Sequence, residues 1–403
     1  MPSFEFLPVW PPVPNGLFYV AIALAAATLI GELLFRLLRI PRIVGYALIG
    51  LLVGAGNLTT GVLRPGGALR IIVDIALALL LFELGCRVHF KWLRANPWLL
   101  LTSLIEAALT ACAVFLVLHY FGYGDALAAA VACIATCTSP AVVLWVTTES
   151  NARGQITERL LMHTALNSIY ALLATRILIA YLAQRVHGDL VNAVLPTVYL
   201  ICGSFLLAML LALGVRFLNR RFDLRNEQSA LLLFAVLLVI ISVATLARLS
   251  TLLVPLLAGI LLRHLSDRPL LWPRHFGTAG GVMVVMLFVL TGISLDVETL
   301  QASGLIGLAV VGARLLAKVA GVVLLSYPSG VTAKQGLALG LALAPMSGLA
   351  FALSFEFRDA FSHLSASIDA IVFSAIAILA LIGPLLTQQA LRWVGEISES
   401  SHR

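Results

Sequence analysis

Apolar residues in this chain do not follow the narrow stripe of a surface helix. They come in long blocks, each near the roughly 20 residues that cross a bilayer as a helix, separated by short polar stretches. Thirteen blocks predict helices at about 16–38, 41–55, 70–87, 97–120, 125–147, 156–184, 190–219, 228–247, 250–265, 279–295, 303–326, 332–356 and 365–394. An odd number of crossings puts the two termini on opposite sides of the membrane. The fold class that follows is an all-α polytopic membrane protein of about 13 transmembrane helices.

Composition agrees with the pattern. Of 403 residues, 61% are hydrophobic and 11% charged, against about 25% charged in ordinary soluble domains. The net charge of +7 does not point to nucleic acid, because the basic residues sit in short loops. Alternate loops carry Arg36, Arg39 and Arg42; Arg87, Lys91 and Arg94; Arg153 and Arg159; Arg216, Arg220, Arg221 and Arg225; Arg263, Arg268 and Arg274; Lys334; and Arg392 and Arg403. The opposite side has Arg64, Arg70, Arg185, Arg248 and Arg358, a bias of 18 to 5. The positive-inside rule then expects the N-terminus outside and the C-terminus in the cytoplasm of an inner (plasma) membrane. The opening "MPSFEFLPVWPPVPN" has no basic n-region, so no cleaved signal peptide is expected. The five cysteines, Cys86, Cys112, Cys133, Cys137 and Cys202, have no metal-ligand spacing and are expected to be free thiols used in packing. No HExxH, P-loop or GxGxxG stands in the chain, so the reading is not an enzyme, and neither cofactor nor metal is expected.

The chain repeats itself weakly but steadily. "IGLLVG" pairs with "AGILLR", "LFELG" with "LFVLTG", and "CTSPAVV" with "APMSGLA", at an offset of about 206 to 209 residues. Seven predicted helices separate each pair, so the two copies insert with opposite orientation. The first repeat covers about 41–186 and the second about 250–395, five helices each. Within matching helices, Pro140 follows Thr138 and Ser139, and Pro345 precedes Ser347 and Gly348. Proline removes a backbone donor and crowds the preceding turn, so both helices are expected to be interrupted. Ordinary proline kinks use the same letters. Matched interruptions in two inverted halves, crossing at the midplane, are instead the pointer to a transport site.

The block "CTSPAVVLWVTTESNARGQITERLLMHTAL" (Cys137–Leu166), with "PRIVGYALIGLLVGAG", "LLLFELG" and "KVAG" (Lys318–Gly321), resembles the monovalent cation/proton antiporter superfamily in its Kef-like sodium/hydrogen exchanger branch. The resemblance implies a single transmembrane exchanger domain over 1–400, with a core of predicted helices 4–6 and 11–13 moving against a dimerisation part of helices 1–3 and 8–10. It implies monovalent cations and protons as cargo, the lipid bilayer as surroundings and a second copy as partner. Kef-like relatives often add a cytoplasmic nucleotide-binding domain, and none is expected here.

The chain departs from the family where the carrier acid should be. Family members hold an Asp pair, or Asn then Asp, where this sequence has Asn167 and Ser168. Neither titrates in the useful range, and both are common in interhelical packing. Substitutes exist. Glu106 lies mid-helix, and one repeat offset further stands Arg314, so a Glu106–Arg314 pair is expected, with Lys318 one turn on. That pair could be a proton-sensitive switch or a static register lock. His163, one turn before Asn167, has an ordinary pKa near 6.5 and is either a proton carrier or a buried histidine satisfied by a hydrogen bond. Asp74 and Glu83 lie in the third helix; Glu83 either guides ions or faces Arg87, and Arg176 is expected toward the outer face. Three functions stay open: cation/proton exchange through Glu106, altered cargo, and a non-transporting sensor.

Overall fold

The structure is a computed structural model and describes residues 16–56, 68–88, 90–187, 190–221, 227–265, 274–295 and 297–397. The opening segment 1–15 and Arg64, Arg225, Arg268 and Arg403, counted above, lie outside the described residues. Every described element is helical. In order they are α1 (Gly16–Leu38), α2 (Arg42–Ala55), α3 (Ala68–Cys86), α4 (Phe90–Ala95), α5 (Pro97–Tyr120), α6 (Asp125–Ala135), α7 (Pro140–Glu149), α8 (Gln155–His187), α9 (Leu190–Arg221), α10 (Glu227–Leu246), α11 (Leu253–Leu265), α12 (Arg274–Ile293), α13 (Val297–Leu324), α14 (Ala333–Ala342), α15 (Gly348–Ala360) and α16 (Ser362–Trp393).

The hydrophobic pattern located these helices, and the two proline-bearing blocks each resolve into a pair, α6/α7 and α14/α15. The short α4 has no counterpart in the pattern, because six residues are too few for a period to show. Among the described residues, seven spans, α6–α7 counted as one, are long and apolar enough to cross a membrane, and four shorter apolar helices accompany them. Leu29, Leu116, Leu206 and Leu305 are each more than half exposed, at 69%, 63%, 63% and 75%. In a bilayer such side chains face acyl chains, so their exposure costs nothing.

Glycines set the closest approaches. A Cβ on Gly50 would stand 3.0 Å from the Gly292 Cα, and one on Gly85 would stand 3.1 Å from the Gly259 Cα. Small residues let membrane helices pack backbone to backbone, and these two contacts lock α2 to α12 and α3 to α11. Under the repeat offset Gly50 maps to Gly259 and Gly85 to Gly292, so the two contacts exchange with each other. Reciprocal contacts are what a two-fold relation between halves produces. The third such approach matters most for chemistry. A Cβ on Gly321 would fall 2.5 Å from the Glu106 Cα, so glycine there is what lets α13 lie directly against α5.

Candidate functional site

The interruption in the first half spans Thr136 to Ser139 and that in the second spans Leu343 to Ser347. Pro140 opens α7 at a position where the missing amide would have no helical partner anyway. Ser139 caps α7, its hydroxyl accepting from the Val142 amide at 3.4 Å. The two interruptions touch. The Ser139 amide donates to the Pro345 carbonyl at 2.9 Å, the Ser139 and Ser347 hydroxyls are 2.5 Å apart, and the Thr138 hydroxyl donates to the Leu343 carbonyl at 3.3 Å. Thr138, Ser139 and Ser347 are all buried.

Two half-helices, α6 and α14, end at this crossing and leave carbonyls without helical partners. Arg314 takes them. Its Nε donates to the Ala135 carbonyl at 2.8 Å, and its Nη2 donates to the carbonyls of Cys137 at 2.7 Å and Pro345 at 3.4 Å. Its Nη1 donates to the Ala344 carbonyl. One cation thus sits between two helix C-termini, where the backbone dipoles favour positive charge.

Glu106 is therefore not paired with Arg314, which corrects the expectation drawn from the repeat offset. Its Oε1 forms an ion pair with Lys318 Nζ. Its Oε2 accepts from Asn167 Nδ2 at 2.8 Å. Lys318 Nζ also donates to the Thr136 carbonyl at 3.2 Å, and Asn167 Nδ2 reaches the Thr138 hydroxyl at 3.3 Å. The physical reason lies in donor shape. A planar guanidinium with five donors suits several separate carbonyls, whereas an ammonium is a compact charge that suits one carboxylate. Glu106, Asn167, Arg314 and Lys318 have no exposed surface, so the site is a closed polar cluster of one anion and two cations.

The remaining sequence candidates fall into three groups. Ser168 is buried, but its hydroxyl donates to the Thr164 carbonyl of its own helix at 2.8 Å and does not join the Glu106 cluster. His163 is fully buried, and neither ring nitrogen has a hydrogen-bond partner, so the satisfied packing histidine is not what the structure holds. Glu83 lies on α3 and pairs with Arg87 at 2.7 Å, one turn away. Arg176 pairs with Glu356 of α15 at 2.7 Å.

Two of the carboxylates that sequence reasoning passed over tie distant segments together. Glu396, just past α16, accepts from the Ile156 amide at 2.7 Å and from the Thr157 amide and hydroxyl at 2.6 Å each. It caps the start of α8, the helix that carries Asn167. Glu149, at the end of α7, accepts from Arg42 Nη1 at 2.6 Å and from the Arg42 amide at 3.2 Å. A lone Glu just past an apolar block gives no periodic signal, so nothing in the letters separates these two from solvated ones.

A model of the family described as "Sodium/hydrogen exchanger, transmembrane" matches residues 22–393. The chain belongs to that family. The fold of this exchanger-family chain is similar to that of the sodium proton antiporter MjNhaP1 from Methanocaldococcus jannaschii at pH 8. The TM-score is 0.69 at 18% identity, covering 95% of this chain and 97% of the other. An electron-microscopy structure of the same antiporter gives 0.69 at 17% identity over 94% of each chain. At such identity the likeness is one of fold. A curated relative, "Iron transporter MagA" from Paramagnetospirillum magneticum (strain ATCC 700264 / AMB-1), is 28% identical over 136 residues, 34% of this chain and 31% of its own length. The match to that relative therefore spans under a third of it. The chain is an integral membrane protein of the antiporter fold.

Proposed function

We propose that this chain exchanges a monovalent cation, Na⁺ or K⁺, for a proton at the Glu106–Lys318–Asn167 cluster. The observation that carries the reading is the position of Lys318 Nζ. It is held by the Glu106 carboxylate and the Thr136 carbonyl, and Asn167 Oδ1 nearby is buried without a partner. Carboxylate, carbonyl, hydroxyl and amide oxygens are the ligands a hard cation takes. A bound cation would use the oxygens that now hold the ammonium, so cation and ammonium compete.

The balance of the step is simple. Lys318 gives up one proton and becomes a neutral amine. The cation enters beside the ionised Glu106 carboxylate, with the Thr138 hydroxyl and Asn167 Oδ1 in reach. One positive charge replaces another, so the cluster's total charge is unchanged. Arg314 stays protonated and opposes double occupancy by Coulomb repulsion, which is strong where water is excluded. In this way a lysine–glutamate pair performs the one-or-the-other binding that an acid at position 168 performs in relatives.

Movement of α5–α8 with α13–α16 against α1–α3 with α10–α12 would expose the cluster alternately to the two sides. The second group would also be the surface for a second copy. The basic-loop bias supports an N-terminus outside and a cytoplasmic C-terminus in an inner membrane. The partial relative's name suggests iron. Among the described residues no three His, Cys, Asp or Glu side chains come together, and a cluster with one carboxylate suits a monovalent ion better.

The test is reconstitution in liposomes with a pH-sensitive dye inside and pulses of Na⁺, K⁺ or Li⁺ outside. Wild type is expected to move protons against at least one of them, and Glu106→Gln is expected to move none. Silence from wild type with every cation would sink the reading in favour of altered cargo or a sensor.

A further inference from the structure

The exchange site is sealed, and any proton leaving Lys318 needs a route out. One face of α8 carries Arg159, His163 and Asn167, each one helical turn after the last and 3%, 0% and 0% exposed. Ten buried side-chain nitrogen or oxygen atoms among the described residues lack a hydrogen-bond partner. Four of the ten belong to these three side chains: Arg159 Nε, both ring nitrogens of His163, and Asn167 Oδ1. Buried polar atoms without partners cost about 1–3 kcal/mol each, and proteins satisfy them with internal water. Scattered packing defects would not line up on one face of one helix.

The donors and acceptors fall in a consistent order. Arg159 Nε donates only. A neutral imidazole accepts at one nitrogen and donates from the other. Asn167 Oδ1 accepts only. A water between Arg159 and His163 accepts from the first and donates to the second, and a water between His163 and Asn167 does the same. Side chains four residues apart are neighbours on one helix face, so a single water can bridge successive members of this row.

Arg159 anchors the end of this file away from the exchange site. Its Nη1 donates to the Ser329 hydroxyl at 2.5 Å and its Nη2 to the Ser329 carbonyl at 2.7 Å, beside the loop that leads into α14. The inner end is Asn167, already bonded to Glu106 at 2.8 Å. The charged groups that act on His163 are Arg159 on its own helix and Lys318 on α13.

We propose that Arg159, His163 and Asn167 hold a file of internal water that links the exchange site to the side assigned to the cytoplasm, with His163 as the proton relay. In the step away from the exchange site, the ring starts as the other tautomer, with its acceptor nitrogen toward Asn167. A proton from the water on that side binds this nitrogen, and the proton on the other ring nitrogen leaves to the water on the Arg159 side. The ring ends in the tautomer described above, one proton has crossed it, and tautomer exchange resets it. The relay role rests on the exchange reading above; the water file does not.

The experiment has two arms so that the two readings can fail separately. The first is solid-state NMR on the full chain in lipid bilayers with ring-¹⁵N histidine, with His163 assigned by difference from His163→Gln. Polarisation transfer from water to both His163 ring nitrogens is expected, and a His163 ring without it overturns the file whether or not the protein transports. The second arm is proton flux in liposomes. His163→Gln keeps a polar side chain but cannot relay, so the maximal exchange rate is expected to fall about tenfold while the KM for the cation stays within about twofold. A wild-type rate in His163→Gln overturns the relay. Should that variant fail to fold, His163→Asn serves the same comparison, and the wild-type deuterium-oxide rate ratio gives a further reading: near unity contradicts the relay. If wild type moves no cation, the exchange reading falls and the relay with it, while the NMR arm still decides the water.

Discussion

At the residue scale, the pair between Glu106 and Lys318 determines what the site can tolerate. Removing one partner of a buried ion pair leaves an uncompensated charge and costs about 3–5 kcal/mol, whereas replacing both with apolar or neutral groups is often close to neutral. Glu106→Gln and Lys318→Met are each expected to lower the thermal unfolding temperature of the detergent-solubilised protein. The double variant is expected to recover most of the loss and to remain silent in exchange. A double variant no more stable than the worse single variant would show that the pair does not hold the structure. Glu106 was legible in the sequence as an acid in the middle of an apolar helix. Which of its two candidate cations pairs with it was not. The repeat offset pointed to Arg314, but Arg314 goes to the carbonyls of Ala135, Cys137, Ala344 and Pro345. A backbone carbonyl is not a letter in the sequence, so its claim on a guanidinium shows only once the exact break in each helix is known. The same holds for His163, whose position was plain and whose missing partners were not.

At the scale of elements, the two interrupted helices were readable because proline and small polar residues in an apolar block have few other uses. Their precise ends were set by packing: α6 stops at Ala135, five residues before Pro140. Arg314 is what makes both ends tolerable. Arg314→Lys keeps the charge but loses the fork, so two or more carbonyls lose their donor. A loss of roughly 3 kcal/mol is expected from hydrogen bonds to a charged group. The check is a denaturation midpoint compared with that of the surface change Arg392→Lys. Equal midpoints would mean that the crossing holds itself together through the Ser139–Ser347 and Ser139–Pro345 contacts alone. The cap that Glu396 places on α8 was invisible from sequence, because 239 to 240 residues separate donor from acceptor.

At the scale of the whole molecule, the apolar blocks and the loop charges gave away the membrane class and the helix positions, since both follow from the bilayer itself. The two groups pack helix against helix, α16 on α2 and α7 on α3 among them, and single long side chains bridge them as well. Arg42, at the start of α2, bonds both Glu149 at the end of α7 and Glu32 of α1, at 2.6 and 2.7 Å, and its guanidinium lies 3.8 Å over the Phe35 ring. In the proposed alternating access this bridge joins the moving core to the scaffold and must open in each cycle. Glu149→Arg is expected to slow exchange by tenfold or more, and the swap Arg42→Glu with Glu149→Arg to restore a good part of it. A swap as slow as the single variant would place Glu149 outside the moving interface.

The central claim is that one cation displaces one proton at Glu106 and Lys318, and proton release on cation binding reads it most directly. Purified protein in a lightly buffered solution is titrated with Na⁺ or K⁺ while pH is followed with a dye. The account predicts about one proton released per chain at saturation for wild type, and none for Glu106→Gln or Lys318→Met. Release that persists in Lys318→Met, or cation binding by wild type with no proton released, would contradict it.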